Sequence, residues 1–277
     1  MRPYPSRRSF ALGAGSLVAV SLLLAACSSP AVQAGEQPDA GKPVVVEQRP
    51  NEKITIPGTK VAFELVWVPE GGFWVGKTEV TWDEYLLYCD FKNPEREKLE
   101  QVDGVSRPSE PLEDVAPYDR TWGLGQRPAV GMSWNAAKKY CQWLSKKTGR
   151  KFRLPTEAEW LQAFGKPPAK DLAAHAWCAA NSDDMTQEVG KKQPNALGIH
   201  DMLGNLWEYC GNPFSPTEPE RAVLRGGCWE DEAAKLSPKA RMGFDDDWVL
   251  EDPNVPPGVW WVPDGDHIGF RLLCEAK

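Results

Sequence analysis

Cysteine is the residue type with the widest chemical reach in this chain, since a thiol can act as nucleophile, redox group or soft-metal ligand. There are seven. Setting Cys27 aside leaves Cys89, Cys141, Cys178, Cys210, Cys228 and Cys274. Six is an even number, so disulfides are allowed in an oxidising compartment, and the spacing leaves their pairing open. No Cys-x-x-Cys occurs, which argues against a zinc ribbon. The three histidines, His175, His200 and His267, are scattered and build no iron facial triad. Asp245-Asp246-Asp247 reads as a solvated acidic loop, and Trp260-Trp261 as core packing that can also wall a cleft.

The elements that must position these groups are short. Val61 to Val68 reads as a strand, Pro69 to Gly72 as a turn, and Phe73 to Gly76 as a returning strand. Thr81 and Glu84 form a capping box that opens a helix running to about Phe91. Lys92 to Arg127 is polar and without periodicity, and reads as a surface insertion. Ser133 caps the clearest helix, Trp134 to Thr148, whose apolar stripe is Ala137, Tyr140, Cys141 and Leu144. Gly149 ends it. Thr156 to Glu159 repeats the capping box for a helix ending near Gly165. Ala222 to Arg225 and Ile268 to Leu273 read as short strands.

Ahead of these elements lies an address. Arg7-Arg8 followed by the apolar run Phe10 to Ala26 makes a signal peptide and resembles a twin-arginine signal. Leu24-Ala25-Ala26-Cys27 resembles a bacterial lipobox, so Cys27 is expected to carry lipid and anchor the chain to a membrane without spanning it. No later stretch is long and apolar enough to span a bilayer. Residues 28–60, rich in Pro, Gly, Gln and Ala, read as a disordered tether, and residues 61–277 as the folded domain. A net charge of -7 argues against nucleic acid as the main partner, because phosphate binding needs a basic surface. Thirteen tryptophans beside 25 prolines and 24 glycines point to a loop-rich domain held by buried indoles.

Several segments, in order, resemble the formylglycine-generating enzyme (sulfatase-modifying factor) family. They are Val66 to Phe73, Glu79-Val80-Thr81, Pro128 to Trp134, Arg153-Leu154-Pro155-Thr156-Glu157-Ala158-Glu159-Trp160, Asn195 to Glu208, Leu224-Arg225-Gly226-Gly227-Cys228-Trp229 and Gly269-Phe270-Arg271. The resemblance implies one α+β domain with little regular secondary structure, related in outline to C-type lectin folds. It also implies a calcium site on Asp201, the carbonyls of Gly204 and Leu206, and Glu208, a hard-oxygen set that suits calcium. Asp201 and Glu208 capping turns, or pairing with arginines such as Arg225, is the plainer alternative. A second family calcium site would fall around Asn181 and Ser182 and is not expected here. The family's disulfide would join Cys141 to Cys274 and contribute about 3–5 kcal/mol.

The family enzyme oxidises a sulfatase cysteine to formylglycine with two thiolates that hold copper(I). The matching positions here are Asp231 and Leu236, so that copper site is not expected. Cys228 stands where the family has its active-site serine. It could act as nucleophile, redox group or copper ligand with Cys210 as the second thiol; a structural Cys210–Cys228 bridge or a buried inert thiol is the favoured reading. His267 falls near the same cleft, and the two candidate catalytic residues are therefore Cys228 and His267. The sequence points to a ligand- or protein-binding module at the bacterial cell envelope, facing the periplasm or exterior. An oxidoreductase with altered chemistry, like the relative that matures pyoverdine, is the alternative.

Overall fold

The structure is a computed structural model, and it describes residues 47–89, 122–166, 171–249, 260–262 and 264–276. The signal, the lipobox with Cys27, residues 90–121 of the insertion and Leu250 to Val259 lie outside the described residues. Among the described residues no helix is long and apolar enough to cross a membrane.

Among the described residues, two sheets and four helices build the domain. Strands β1 (Glu52–Thr55), β2 (Ala62–Val68), β3 (Phe73–Gly76), β4 (Phe152–Arg153) and β9 (Leu273–Glu275) form one antiparallel sheet in the order β1-β2-β3-β9-β4. Strands β5 (Trp207–Ser215), β6 (Glu218–Arg225), β7 (Arg241–Gly243) and β8 (Ile268–Gly269) form the second, in the order β7-β6-β5-β8. Of these strand pairs, β5–β8 is parallel and the others are antiparallel. Strand β1 pairs with β2 from Glu52↔Leu65 to Thr55↔Ala62. The ordered sheet therefore starts inside the stretch read as a tether, ahead of Val61. Strand Ile268 to Leu273 is not continuous either: Ile268–Gly269 joins β5, Leu273–Glu275 joins β3 and β4, and Phe270 to Leu272 cross from one sheet to the other.

Helices are α1 (Trp82–Cys89), α2 (Trp134–Thr148), α3 (Glu157–Phe164) and α4 (Leu172–His175). Their caps follow the sequence. Glu84 accepts from Thr81 N at 3.1 Å, Ser133 accepts from Ala136 N, and Thr156 with Glu159 closes a full capping box. Gly149 adopts φ 67, the left-handed turn that ends α2. The buried face of α2 is Ala136, Ala137, Tyr140, Cys141, Trp143 and Leu144, wider than the expected stripe. Tyr140 stacks on Tyr85 of α1 at 5.5 Å, and Trp261 packs edge-on to Tyr85 at 5.9 Å, so that tryptophan serves the core. Two apolar cores result. One gathers α1, α2 and the aromatic cluster, and the other packs Trp160 and Phe164 of α3 on Val66, Val68 and Val75.

Candidate functional site

Strand β6 ends at Arg225 and runs into Gly226 (φ 102) and Gly227 (φ 80). Leu236 Cδ2 lies 2.2 Å from where a Cβ on Gly227 would stand, so only glycine fits beneath that leucine. Cys228 follows, fully buried. Asp231 Oδ2 accepts its backbone N–H at 3.0 Å and its thiol at 3.5 Å. Burial, then the charges of Asp231 and Glu230, pushes the Cys228 thiol well above its ordinary range. The positions expected to lack the copper thiols are therefore occupied: Asp231 holds the turn and Leu236 fills the space over Gly227.

Cys210 does not join Cys228. It belongs to the core under α3, whereas Cys228 belongs to the aromatic core, and its own thiol is pushed up by burial. Cys89, Cys141, Cys178, Cys210, Cys228 and Cys274 are all free thiols in the structure. The expected Cys141–Cys274 bridge is thus not formed here. Cys274 turns its Sγ toward the Glu275 carbonyl at 3.7 Å.

His267 is buried, with Nδ1 3.3 Å from Asp266 Oδ1 and its ring edge-on to Trp248 at 4.9 Å. Trp229, next to Cys228, donates Nε1–H to the Asp266 carbonyl at 3.3 Å. The neighbourhoods of Cys228 and His267 meet through that tryptophan. The rings of His175 and His200 sit against the carbonyls of Gln193 and Lys192, through Nδ1 in each case. Asp245, Asp246 and Asp247 are exposed, as a solvated loop should be.

A second constellation lies deeper. The segment Asp201 to Asn205 is tightly curled: Asp201 (φ 53), Gly204 (φ 72) and Asn205 (φ 57) are all left-handed. A Cβ on Gly204 would stand 1.9 Å from the Trp177 carbonyl, so this position admits glycine alone. Four charged side chains converge on the curl with at most 2% exposure: Glu79, Asp201, Glu208 and Arg271. Arg271 donates Nε–H to Glu208 Oε2 at 2.6 Å and Nη2–H to Oε1 at 2.5 Å, and also reaches the carbonyls of Gly76, His200 and Asp201. Trp160 Nε1–H adds a bond to Glu208 Oε2 at 2.8 Å. Glu208 therefore pairs with Arg271, where the sequence suggested Arg225 as the plainer partner; Arg225 pairs with Glu157 instead.

Asn205, wholly buried, donates to Glu79 Oε2 at 2.9 Å and accepts from Gln187 N. Gly190 N–H donates to Asp201 Oδ2 at 2.7 Å. Glu79 Oε1 and Asp201 Oδ1 remain buried without a hydrogen-bond partner. Burial raises the carboxyl of Asp201, and burial with the charges of Asp201 and Glu208 raises Glu79 well above the carboxylate range. Among the described residues, no three Asp, Glu, His or Cys side chains converge closely enough to hold a metal by themselves. The set expected for calcium draws on two carboxylates and two backbone carbonyls: Asp201 offers an unpartnered oxygen, while both oxygens of Glu208 already accept from Arg271 and Trp160. The role of Glu79 and Arg271 escaped the sequence reading, although both lie in its motif segments, Glu79-Val80-Thr81 and Gly269-Phe270-Arg271.

The comparison with known proteins now decides the family. A model of the sulfatase-modifying factor enzyme 1-like domain matches residues 40–249. The chain belongs to this family. A mouse protein named inactive C-alpha-formylglycine-generating enzyme 2 is 26% identical over 69% of this chain. The chain spans 65% of that protein's length. It is 32% identical over 39% of its length to a Chlamydia pneumoniae serine/threonine-protein kinase pkn1, of which it spans 20%. The solved Treponema denticola variable protein 1 shares the fold, with a TM-score of 0.57 at 21% identity, covering 83% of this chain and 100% of that one. In this sulfatase-modifying-factor domain the family motifs Arg153 to Trp160 and Asn195 to Glu208 face one another across the Trp160–Glu208 bond.

Proposed function

We propose that this chain is an exported lipoprotein, anchored to the bacterial cell envelope through Cys27, whose sulfatase-modifying-factor domain binds a ligand or protein partner and does not generate formylglycine with copper. The observation that carries this reading is the filled site at Gly227. Leu236 covers the glycine, Asp231 holds the backbone and thiol of Cys228, and that thiol is buried and protonated. A soft ion such as copper(I) is held by thiolates, and the two matching positions carry the carboxylate of Asp231 and the apolar side chain of Leu236, which supply none. The same features count against the altered-oxidoreductase alternative with Cys228 as nucleophile. His267, committed to Asp266 and Trp248, is a wall of the cleft in this reading.

The reading includes a structural calcium ion on Asp201, the carbonyls of Gly204 and Leu206, and Glu208. When bound, the ion neutralises buried carboxylates and pins the curl; the protein's own residues orient that curl through Trp177, Asn205 and Arg271. No chemical step runs through it.

The test is turnover. The purified protein, incubated with copper, oxygen and a cysteine-bearing sulfatase peptide, is expected to leave the peptide unoxidised by mass spectrometry. Formylglycine formation that Cys228→Ser abolishes overturns the reading.

A further inference from the structure

We propose that the face formed by the basic end of α2 and the segment Glu47 to Asn51 lies against an anionic phospholipid surface, that of the membrane holding the lipid on Cys27. The inference rests on the lipoprotein reading above and adds to it which side of the domain meets the membrane.

Three observations carry it. The first is where the chain leaves the domain. Trp67 of β2 and Trp74 of β3 meet edge to face at 4.6 Å. Trp67 Nε1–H donates to the Glu47 carbonyl at 2.7 Å, and Trp74 Nε1–H to the Pro50 carbonyl at 3.2 Å. Asn51 Oδ1 accepts from Trp67 N at 3.2 Å. The Arg49 guanidinium lies over both rings, at 4.9 and 5.2 Å, a favourable cation–π position. Glu47 to Asn51 is therefore strapped to the first sheet, and the chain running back to Cys27 departs from this point. That chain spans at most about 70 Å at full extension, so a lipid on Cys27 pulls on the domain from this side.

The second is charge. In a chain of net charge -7, the stretch Trp134 to Arg153 holds seven Lys and Arg and no Asp or Glu. The exposed stripe of α2 is Asn135, Lys139, Gln142 and Lys146, at helical spacing, and Lys147 is exposed in the last turn. Arg150 pairs with Glu52, Lys151 with Glu275, and Arg153 with Glu159 and Glu275. Among the described residues, Lys139, Lys146 and Lys147 have no such carboxylate partner. The negative end of the helix is reason enough for Lys146 and Lys147, but it does not reach Lys139, two turns earlier.

The third is adjacency. The Arg150 guanidinium lies over Trp74 at 5.1 Å, on the same indole that holds Pro50. Arg150 follows Lys147 by three residues, so the basic helix end and the departing chain lie side by side. Anionic headgroups complement such a face. Three lysines alone give a weak contact that salt screens, so they orient a protein that lipid already holds.

The experiment places a fluorophore on Gln142→Cys of the full-length lipoprotein, where the other cysteines of the domain are buried. Energy transfer to a headgroup acceptor is read in vesicles of phosphatidylcholine alone and of phosphatidylcholine with phosphatidylglycerol. Transfer is expected to be higher with phosphatidylglycerol and to fall to the phosphatidylcholine level in high salt. Lys139→Glu with Lys146→Glu and Lys147→Glu, all exposed, is expected to keep the wild-type melting temperature and lose the difference. In a second arm, full-length Cys27→Ala protein at low salt is expected to sediment weakly with phosphatidylglycerol vesicles. The three lysine changes are expected to weaken that by about ten-fold or more. Equal transfer in both vesicles, or a difference that the lysine changes leave intact, overturns the proposal and leaves the lipoprotein reading standing. Wild-type protein that does not enter phosphatidylcholine vesicles overturns the lipoprotein reading instead. The Cys27→Ala arm then decides the face by itself, and no binding to phosphatidylglycerol there overturns the proposal.

Discussion

Arg271 and Glu208 form a two-pronged ion pair inside the domain, at 2.6 and 2.5 Å, with the arginine wholly buried. The pair joins strand β5 to the segment that crosses between the two sheets, and Arg271 further holds the carbonyls of Gly76, His200 and Asp201. Breaking a buried pair by removing one partner leaves an uncompensated charge, at a cost of about 3–5 kcal/mol. Arg271→Gln and Glu208→Gln are each expected to lose about that much in urea unfolding. The double variant is expected to lose less than the sum, because the two changes act on one interaction.

Gly204→Ala tests the curl. Its methyl would enter the Trp177 carbonyl at a backbone angle that alanine resists. The loss is expected to exceed about 2 kcal/mol, with a melting temperature several degrees lower. A wild-type melting temperature would mean that the curl tolerates a side chain.

Glu84 gives the domain a pH dependence. Burial raises its carboxyl to about 7, against an ordinary value of 4.5, although Thr81 donates to it. With the folded value above the unfolded one, the folded state binds the proton more tightly. Stability from this group is therefore fully present below about pH 4.5 and is lost as pH rises toward 7, by at most about 3 kcal/mol. Comparing unfolding free energies at pH 5 and pH 8 should show a drop in the wild type that shrinks in Glu84→Gln.

Cys228 should be inert. In the native protein at pH 8, alkylation of Cys228 is expected to be slow by peptide mapping and to become fast on unfolding. Asp231→Asn, which removes the nearest negative charge, is expected to speed labelling of the native thiol. Fast labelling of the wild type would place Cys228 in the cleft as a reactive group.

Anchoring depends on residues ahead of the described domain. Cys27→Ala is expected to release the protein from the membrane fraction without detergent, and replacing Arg7-Arg8 to stop export. Cys27→Ala protein that stays with membranes would remove the lipoprotein reading.

The fold and its family were legible because local signals agreed with the tertiary structure. Ser133, Thr156 and Gly149 announce helix ends through hydrogen bonds that lie within four residues of themselves. Strand β1 was missed because Glu52 to Thr55 alternates half-buried and exposed residues in a polar stretch, and its partner, Ala62 to Leu65, supplies the reason to form. The break at Phe270 was missed because an apolar run carries no mark of which sheet each half will join. At the site, Asp231 and Leu236 could be read as substitutions. That Leu236 would lie over Gly227, and that Arg271 would reach Glu208 across 63 residues of chain, are tertiary facts without a local signature.

The claim that the copper site is closed is tested most directly by copper(I) titration of the reduced protein against a competing chelator. No stoichiometric binding is expected of the wild type, and recovery of one copper is expected in Asp231→Cys with Leu236→Cys. One copper bound tightly by the wild type, and lost in Cys228→Ser, would contradict it.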